Sequence, residues 1–171
     1  MAVVTSKVKF ITVIIRQALS KEWKVDVKSY LSGYADGEGC FCVSLSKSKR
    51  HKLGREIRPS FSVSQNRDRM QILEMFRQHF GCGHIRQDRS DNTFKYEVRS
   101  LKDLVSIVIP HFRNYPLLSE KRKDFQIFVE VRELMMKGKH YDKEGFNKVV
   151  DLAYKMNPSG KRRYPLREMM V

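Results

Sequence analysis

Apolar and polar positions change their period along the chain, and each change marks an element. Val8, Ile11, Ile14, Ile15 and Leu19 recur at helical spacing, so residues 1–25 read as an N-terminal arm or helix able to dock on the core. A second helical pattern runs through Tyr30, Leu31, Tyr34 and Ala35 and is expected to break at Gly37 and Gly39. The period then drops to two. Phe41, Val43 and Leu45 alternate with Cys40, Cys42, Ser44 and Ser46, as in a half-buried strand. Beyond a connector, Phe61 and Val63 alternate with Ser60, Ser62 and Ser64 in a second strand. Met70, Leu73, Phe76 and Phe80 predict a helix, capped by Asn66 or Asp68 and stopped by Gly81. Ile85 against His84 and Arg86, then Phe94, Tyr96 and Val98 against Lys95, Glu97 and Arg99, predict two more strands. The "DRSDN" between them, residues 88–92, is turn-forming.

Ser100 with Asp103 resembles a capping box for a helix that ends by Pro110. Ser119 starts a longer helix through Phe125, Phe128, Val131 and Leu134 or Met135, closed by Lys137-Gly138-Lys139. A last helix is expected from about Asp142 to Met156, and "NPSGKRRYP" follows as a basic, turn-rich tail. The organisation is therefore an arm over 1–25, a core domain over 26–157 and a tail over 158–171. Helix, two strands, helix, two strands and helices predict an α+β fold. One antiparallel sheet of four strands would be covered on its apolar face by helices.

Charge changes the picture of the other face. Lys and Arg number 34 against 19 Asp and Glu, a formal net charge of +15. That balance calls for a polyanionic partner, most simply nucleic acid. A twisted β-ribbon can enter the major groove, and the uncovered face carries groups that bond base edges and phosphates. Ser44, Ser46, Arg58, Ser60, Ser62, Ser64, His84, Arg86, Lys95, Glu97 and Arg99 share its parity and are the expected DNA contacts. Arg86 and Arg99 suit bidentate bonds to guanine. Lys47, Lys49 and Arg50 in the connector, and Lys161, Arg162 and Arg163 in the tail, suit phosphates.

Other classes fall away. No long basic amphipathic helix stands out for a membrane surface, and the apolar run from Phe10 to Ile15 stops at Arg16 after six residues. It is also short for a secretory signal, although the absence of acids over residues 1–21 leaves an organelle transit peptide open. Three cysteines, Cys40, Cys42 and Cys82, are an odd number and too few for a disulfide framework, which favours a reducing compartment. That compartment is a bacterial or archaeal cytoplasm or an organelle. Cys82-x-His84 lacks a second ligand pair at metal spacing.

Chemistry concentrates in "SYLSGYADGEGCF", residues 29–41. Gly33 and Gly37 are four apart, with Ser32 and Ala35 between or beside them, small side chains that let a second helix come very close, and Ser32, Gly33, Asp36 and Gly37 are the expected dimer interface. Each helical glycine costs about 1 kcal/mol, so close approach has to return something. Two such helices packed at a two-fold axis would set both copies of Glu38 at the foot of the contact. Paired carboxylates repel and gain from divalent cations between them, which suits metal-assisted phosphodiester hydrolysis.

"LSGYADGEG", Leu31 to Gly39, resembles the LAGLIDADG motif of homing endonucleases, with a residue of the usual kind at seven of nine positions. "SFSVSQNRDRMQILEMFRQHFGCGHI" resembles that family's second strand, helix and third strand, and "YPLLSEKRKDF" its later basic helix start, so that the likeness covers residues 28–135. One motif in a chain this short resembles the homodimeric branch. The resemblance implies an αββαββα fold with a saddle-shaped sheet plus extra helices. It also implies site-specific double-strand cleavage of a long, nearly palindromic DNA site, and coding within an intron. It implies Mg2+ (or Mn2+) held by Glu38 with the Gly37 carbonyl, and a structural role for Asp36. Gln65 matches a water-ordering position, Arg69 a basic neighbour of the scissile phosphate and Lys121 a catalytic lysine. The runner-up is an RNA-splicing maturase or a non-catalytic DNA-binding regulator on the same scaffold, which keeps RNA as a possible partner. A basic ribosome-associated protein would leave Gly33 and Gly37 without a purpose.

Overall fold

The structure, a computed structural model, describes residues 26–88, 93–158, 160 and 162–171. The expected arm over 1–25, most of the "DRSDN" turn and Lys161 lie outside them. Helix α1 (Val27–Glu38) starts at Asp26, whose carboxylate accepts the Lys28 N–H at 3.1 Å and the Ser29 hydroxyl at 2.5 Å. The expected break at Gly37 does not occur. Gly37 stays helical and the turn falls at Gly39, whose N–H bonds the Ala35 carbonyl. A Cβ at Gly39 would stand 2.6 Å from that oxygen, so only glycine lets the chain pass directly from helix to strand.

The strands are β1 (Gly39–Lys47), β2 (Arg55–Gln65), β3 (His84–Gln87) and β4 (Phe94–Val98). They form one sheet in the order β1-β2-β4-β3, with every neighbour antiparallel. Helix α2 (Gln71–Phe80) follows a 3-10 turn over Arg67–Arg69 and ends at Gly81 in the left-handed region, φ 61°. Neither Asn66 nor Asp68 caps it by side chain; Met70 holds the cap position. After β4 come α3 (Leu101–Asp103), a π-helical turn (Leu104–Val108) and α4 (Ile109–Asn114). Ser100 caps α3 by accepting the Asp103 N–H at 3.3 Å.

Pro110 does not stop this run. It falls in the first turn of α4, directly after the π turn, whose wider bonds reset the ladder around the residue that lacks an N–H. Helices α5 (Lys121–Met136), α6 (Lys143–Lys155) and α7 (Leu166–Met169) complete the order. Residues 162–171 are more than a tail. Met169 is fully buried and Val171 exchanges backbone bonds with the Asn147 amide at 2.9 and 3.0 Å.

The period-two reading puts Phe41, Val43, Phe61, Val63, Tyr96 and Val98 on one face of the sheet, and each is buried there. Phe41 packs against Phe61, Phe112, Phe125 and Phe128 at centroid distances of 5.1 to 5.5 Å, which joins β1 and β2 to α4 and α5. A side chain of this size contributes roughly 1.5–3 kcal/mol when fully buried. With the helices on that side, the opposite face of the sheet stays open.

Candidate active site and nucleic-acid interface

The open face is a grid of polar side chains set by the strand register. Cys40 pairs with Ser62, Ser62 with Glu97 and Glu97 with His84, in one row across the sheet. The next rows hold Ser64, Lys95 and Arg86 on one side, then Cys42 with Ser60 and Ser44 with Arg58 on the other. Ser46 and Glu56 follow toward the hairpin end. A depression of about 250 Å³ opens in this face, lined by Arg58, Lys95, Glu97 and Arg99 among others.

Several expected contacts are placed differently. Glu97 is 5 % exposed, and its carboxylate is occupied by the guanidinium groups of Arg86 and Arg99, so it does not present itself to a base. Ser62, its neighbour in the row, is buried as well. Lys47 is the last residue of β1 and shares the parity of Phe41, Val43 and Leu45; it pairs with Glu168 of α7 at 3.1 Å and lies over the Tyr164 ring. Arg162 donates to the carbonyls of Ala153 and Met156 and stacks on Tyr154, which caps the end of α6. The last carbonyls of a helix need such donors, so this arginine is engaged within the fold. Lys49, Arg50, Arg58, His84, Arg99 and Arg163 are exposed. Arg163 lines a hollow beside Cys42 and Ser44, which returns the chain's end to the β1 edge of the open face.

At the other end of the site, α1 delivers Glu38 exposed at its last position. Lys121, the first residue of α5, donates its ammonium to the Gly37 carbonyl at 3.0 Å and the Ala35 carbonyl at 3.1 Å. Burial pushes this lysine below its ordinary range, against the raising pull of Asp36, Cys40, Glu38 and Asp124. Asp36 fastens the two elements together. It accepts the Leu118 and Ser119 N–H groups at 2.9 Å each and the Ser119 hydroxyl at 2.5 Å. Burial alone would raise its carboxyl, but the Ser119 and Leu118 bonds outweigh burial and hold it below the usual range. Gln65 closes β2 against the same helix. Its amide donates to the Tyr34 hydroxyl and its oxygen accepts the Asn66 N–H at 2.8 Å. Arg69 stands apart, exposed in the 3-10 turn near Asp68.

Gly33 and Gly37 are exposed, and a Cβ on either would meet nothing within 4 Å. Nothing within the described residues requires glycine at either position. Leu118, at 88 % exposed, and Tyr30, at 45 %, flank the same face of α1. Ser32, expected beside them at an interface, turns inward. It donates to the Tyr115 carbonyl at 2.7 Å and lies 3.0 Å from His111 Nε2, while His111 Nδ1 lies 3.1 Å from His79 Nε2. With its one proton given to Tyr115, Ser32 accepts from His111 Nε2–H, and His111 in turn accepts from His79. Sequence alone had no means to find this relay, because its members come from three separate elements.

The fit of a hard cation can be judged from these donors. Glu38 and the Gly37 carbonyl offer oxygen atoms, the donor type a hard cation takes, at the negative end of a helix, where a cationic ammonium already settles. Among the described residues no group of three or more His, Cys, Asp or Glu side chains lies close enough together to hold a metal. The donors are of the right kind for a hard cation, and one carboxylate with one carbonyl leaves most of its coordination to water, phosphate or a further carboxylate.

Residues 31–132 match the LAGLIDADG endonuclease family, and the chain belongs to it. Its fold is that of solved homing endonucleases. It superposes on the homing endonuclease I-TnaI with a TM-score of 0.77 at 31% identity, covering 83% of this chain and 94% of that one. It superposes on I-LtrWI bound to target DNA with a TM-score of 0.74 at 32% identity, covering 77% of this chain and 44% of that one. Probable intron-encoded endonuclease 2 of Neurospora crassa is 29% identical over 130 residues, which are 75% of this chain and 29% of that protein. The chain thus spans less than a third of the length of the first such relatives. No helix among the described residues is long and apolar enough to cross a membrane.

Proposed function

We propose that the domain is a site-specific double-strand DNA endonuclease of the intron-encoded homing type. We further propose that it acts as a pair of LAGLIDADG domains packed through α1, most simply as a homodimer on a long, nearly palindromic site. The observation that carries this reading is α1 itself. Its two exposed glycines meet nothing among the described residues, and its last residue is an exposed acid beside a lysine already seated on the Gly37 carbonyl. Near-complete coverage of I-TnaI against less than half of I-LtrWI fits one domain per chain in the first and two in the second.

Packing the two glycine faces would bring two Glu38 side chains to one place and supply a further carboxylate. A bound Mg2+ or Mn2+ would supply charge stabilisation at the scissile phosphate and a nucleophile at neutral pH. This chain's residues hold and orient around it. Glu38 and the Gly37 carbonyl would be its ligands. Lys121, partly desolvated and bonded to the Gly37 carbonyl, would hold a positive charge or move a proton beside the phosphate. Gln65, docked on Tyr34, would order water next to the motif helix. Arg58, Lys95, Arg99 and the hairpin's Lys49 and Arg50 would meet DNA, while phosphate contacts set the register. Three free cysteines agree with work in a reducing compartment, including an organelle.

The test is cleavage of a randomised DNA-site library with Mg2+, with Ca2+ and with EDTA, followed by sequencing of the cut ends. Defined, staggered, nearly palindromic cuts that require Mg2+ are expected. Sequence-specific binding in Ca2+ with no cutting in Mg2+ would overturn the endonuclease reading and make RNA the next substrate to examine.

A further inference from the structure

An acid buried in the middle of a surface built for a polyanion needs a reason, because it repels the partner the surface attracts. Glu97 sits on β4 between Ser62 and His84 in the central row of the open face. Its Oε2 takes Arg99 Nε at 3.0 Å and Arg86 Nε at 3.3 Å, and its Oε1 takes Arg99 Nη2 at 3.2 Å. The same arginines remain open to solvent, Arg99 by 56 % of its side chain and Arg86 by 37 %. Arg86 is further fixed by Asp88 at 3.7 Å, and Asp88 also takes Lys95 at 3.3 Å. Two long side chains that would otherwise sample many rotamers are thus held before any DNA arrives.

The way Arg99 is held matters. Glu97 faces the lateral edge of the guanidinium: Nη2 donates one hydrogen to Oε1, and Nε lies in ion-pair contact with Oε2. The terminal edge, Nη1 with the second Nη2 hydrogen, is left with two parallel donors. That fork matches the O6 and N7 acceptors of guanine in the major groove. A carboxylate that cost only affinity would have no such geometric yield. Pre-ordering Arg99 reduces the rotamer entropy lost on base contact and removes alternative contacts to phosphate, which carry no sequence information.

Resting on the DNA-binding reading above, we infer that Glu97 is a specificity-determining positioning residue: it holds Arg99, with Arg86 beside it, so that Arg99 reads one guanine in each half of the target. Glu97 therefore trades affinity for selectivity.

The experiment is binding-site selection in Ca2+ with the full chain, followed by titration of the selected duplex. The duplex carries either guanine or 7-deazaguanine at each position, and a sequence-unrelated duplex serves as the non-specific reference. Wild type should select a guanine whose replacement by 7-deazaguanine weakens binding by about tenfold, the scale of losing one acceptor of a bidentate pair. Glu97→Gln should bind the unrelated duplex several-fold more tightly, while its guanine preference at that position falls toward that of Arg99→Lys, which keeps the charge and loses the fork. A role in folding alone would instead weaken both duplexes in parallel. That outcome, or a Glu97→Gln protein that keeps the full guanine preference, overturns the inference. So does a wild-type selection with no sensitive guanine, in which case sequence-specific binding still stands. A wild type that selects no sequence at all overturns the DNA-binding reading and this inference with it. If Glu97→Gln does not fold, as read by its thermal melt, Arg99→Lys and Arg86→Lys decide the matter: only Arg99→Lys should erase the guanine sensitivity outright.

Discussion

Replacing Gly33 and Gly37 together by alanine should make the isolated domain more stable and the functional assembly weaker. Both residues lie inside α1, and a Cβ at either would meet nothing within 4 Å among the described residues. Alanine relieves about 1 kcal/mol at an interior helical glycine and somewhat less in the last turn. The pair should therefore gain between about 1 and 2 kcal/mol, roughly 2–4 °C in Tm for each kcal/mol in a chain of this size. If two α1 helices pack backbone to backbone, however, four added methyl groups stand in the contact and force the helices apart. Denaturation in a dilution series separates the two effects, because dimer stability depends on protomer concentration and monomer stability does not. Sedimentation and cleavage on the same samples read the assembly. The expected result is a higher melting point at low concentration, with association and cleavage reduced at least tenfold. A variant that is less stable when dilute would show that the glycines are needed within the fold. A variant that is more stable yet associates and cleaves as wild type would show that α1 is not the contact.

Other predictions rest on single interactions. His111 is held at about 4 by burial, then by His79 and Lys28, so it is neutral in the fold. A group depressed below its unfolded value of 6.5 contributes full stability above that pH and loses it as pH falls through about 4. Urea denaturation between pH 7 and pH 4 should show this loss, at most ~3 kcal/mol, and His111→Gln should flatten the profile. Asp36→Ala strands the N–H groups of Leu118 and Ser119 and unties α1 from α5, which should cost about 1–3 kcal/mol by denaturation. Arg162→Ala should lower the melting point by removing the α6 cap, and its salt dependence of DNA binding should stay within error of wild type. A loss of slope by about one unit would instead put Arg162 on a phosphate.

Much of the architecture is legible in the sequence, for a physical reason. A strand with one wet face writes a period of two, and β1, β2 and β4 do so in Phe41-x-Val43, Phe61-x-Val63 and Tyr96-x-Val98. Lys47 was open to the same rule, since it shares parity with Phe41 and belongs to the covered side. What local pattern cannot carry is the company a residue keeps across the fold. Glu97, Arg86 and Arg99 have one parity, and nothing in that parity says that the acid is covered by the two cations. Arg162 resembles a phosphate ligand until α6 is seen to end beside it with open carbonyls. Pro110 reads as a stop because periodicity has no way to announce a π turn upstream. The motif is a separate case. "LSGYADGEG" is legible as a likeness, but the seating of Lys121 on the Gly37 carbonyl depends on Asp36 drawing in residues more than eighty positions away.

The most direct measurement of the central claim uses wild type and Glu38→Gln on the same cognate duplex, with binding read in Ca2+ and cleavage in Mg2+. The account predicts binding within about threefold of wild type, since Glu38 belongs to the end of α1 and not to the strands of the open face, and cleavage lost to background on both strands. Cleavage by Glu38→Gln at the wild-type rate would contradict it, because the exposed acid at the end of α1 would then have no part in the chemistry.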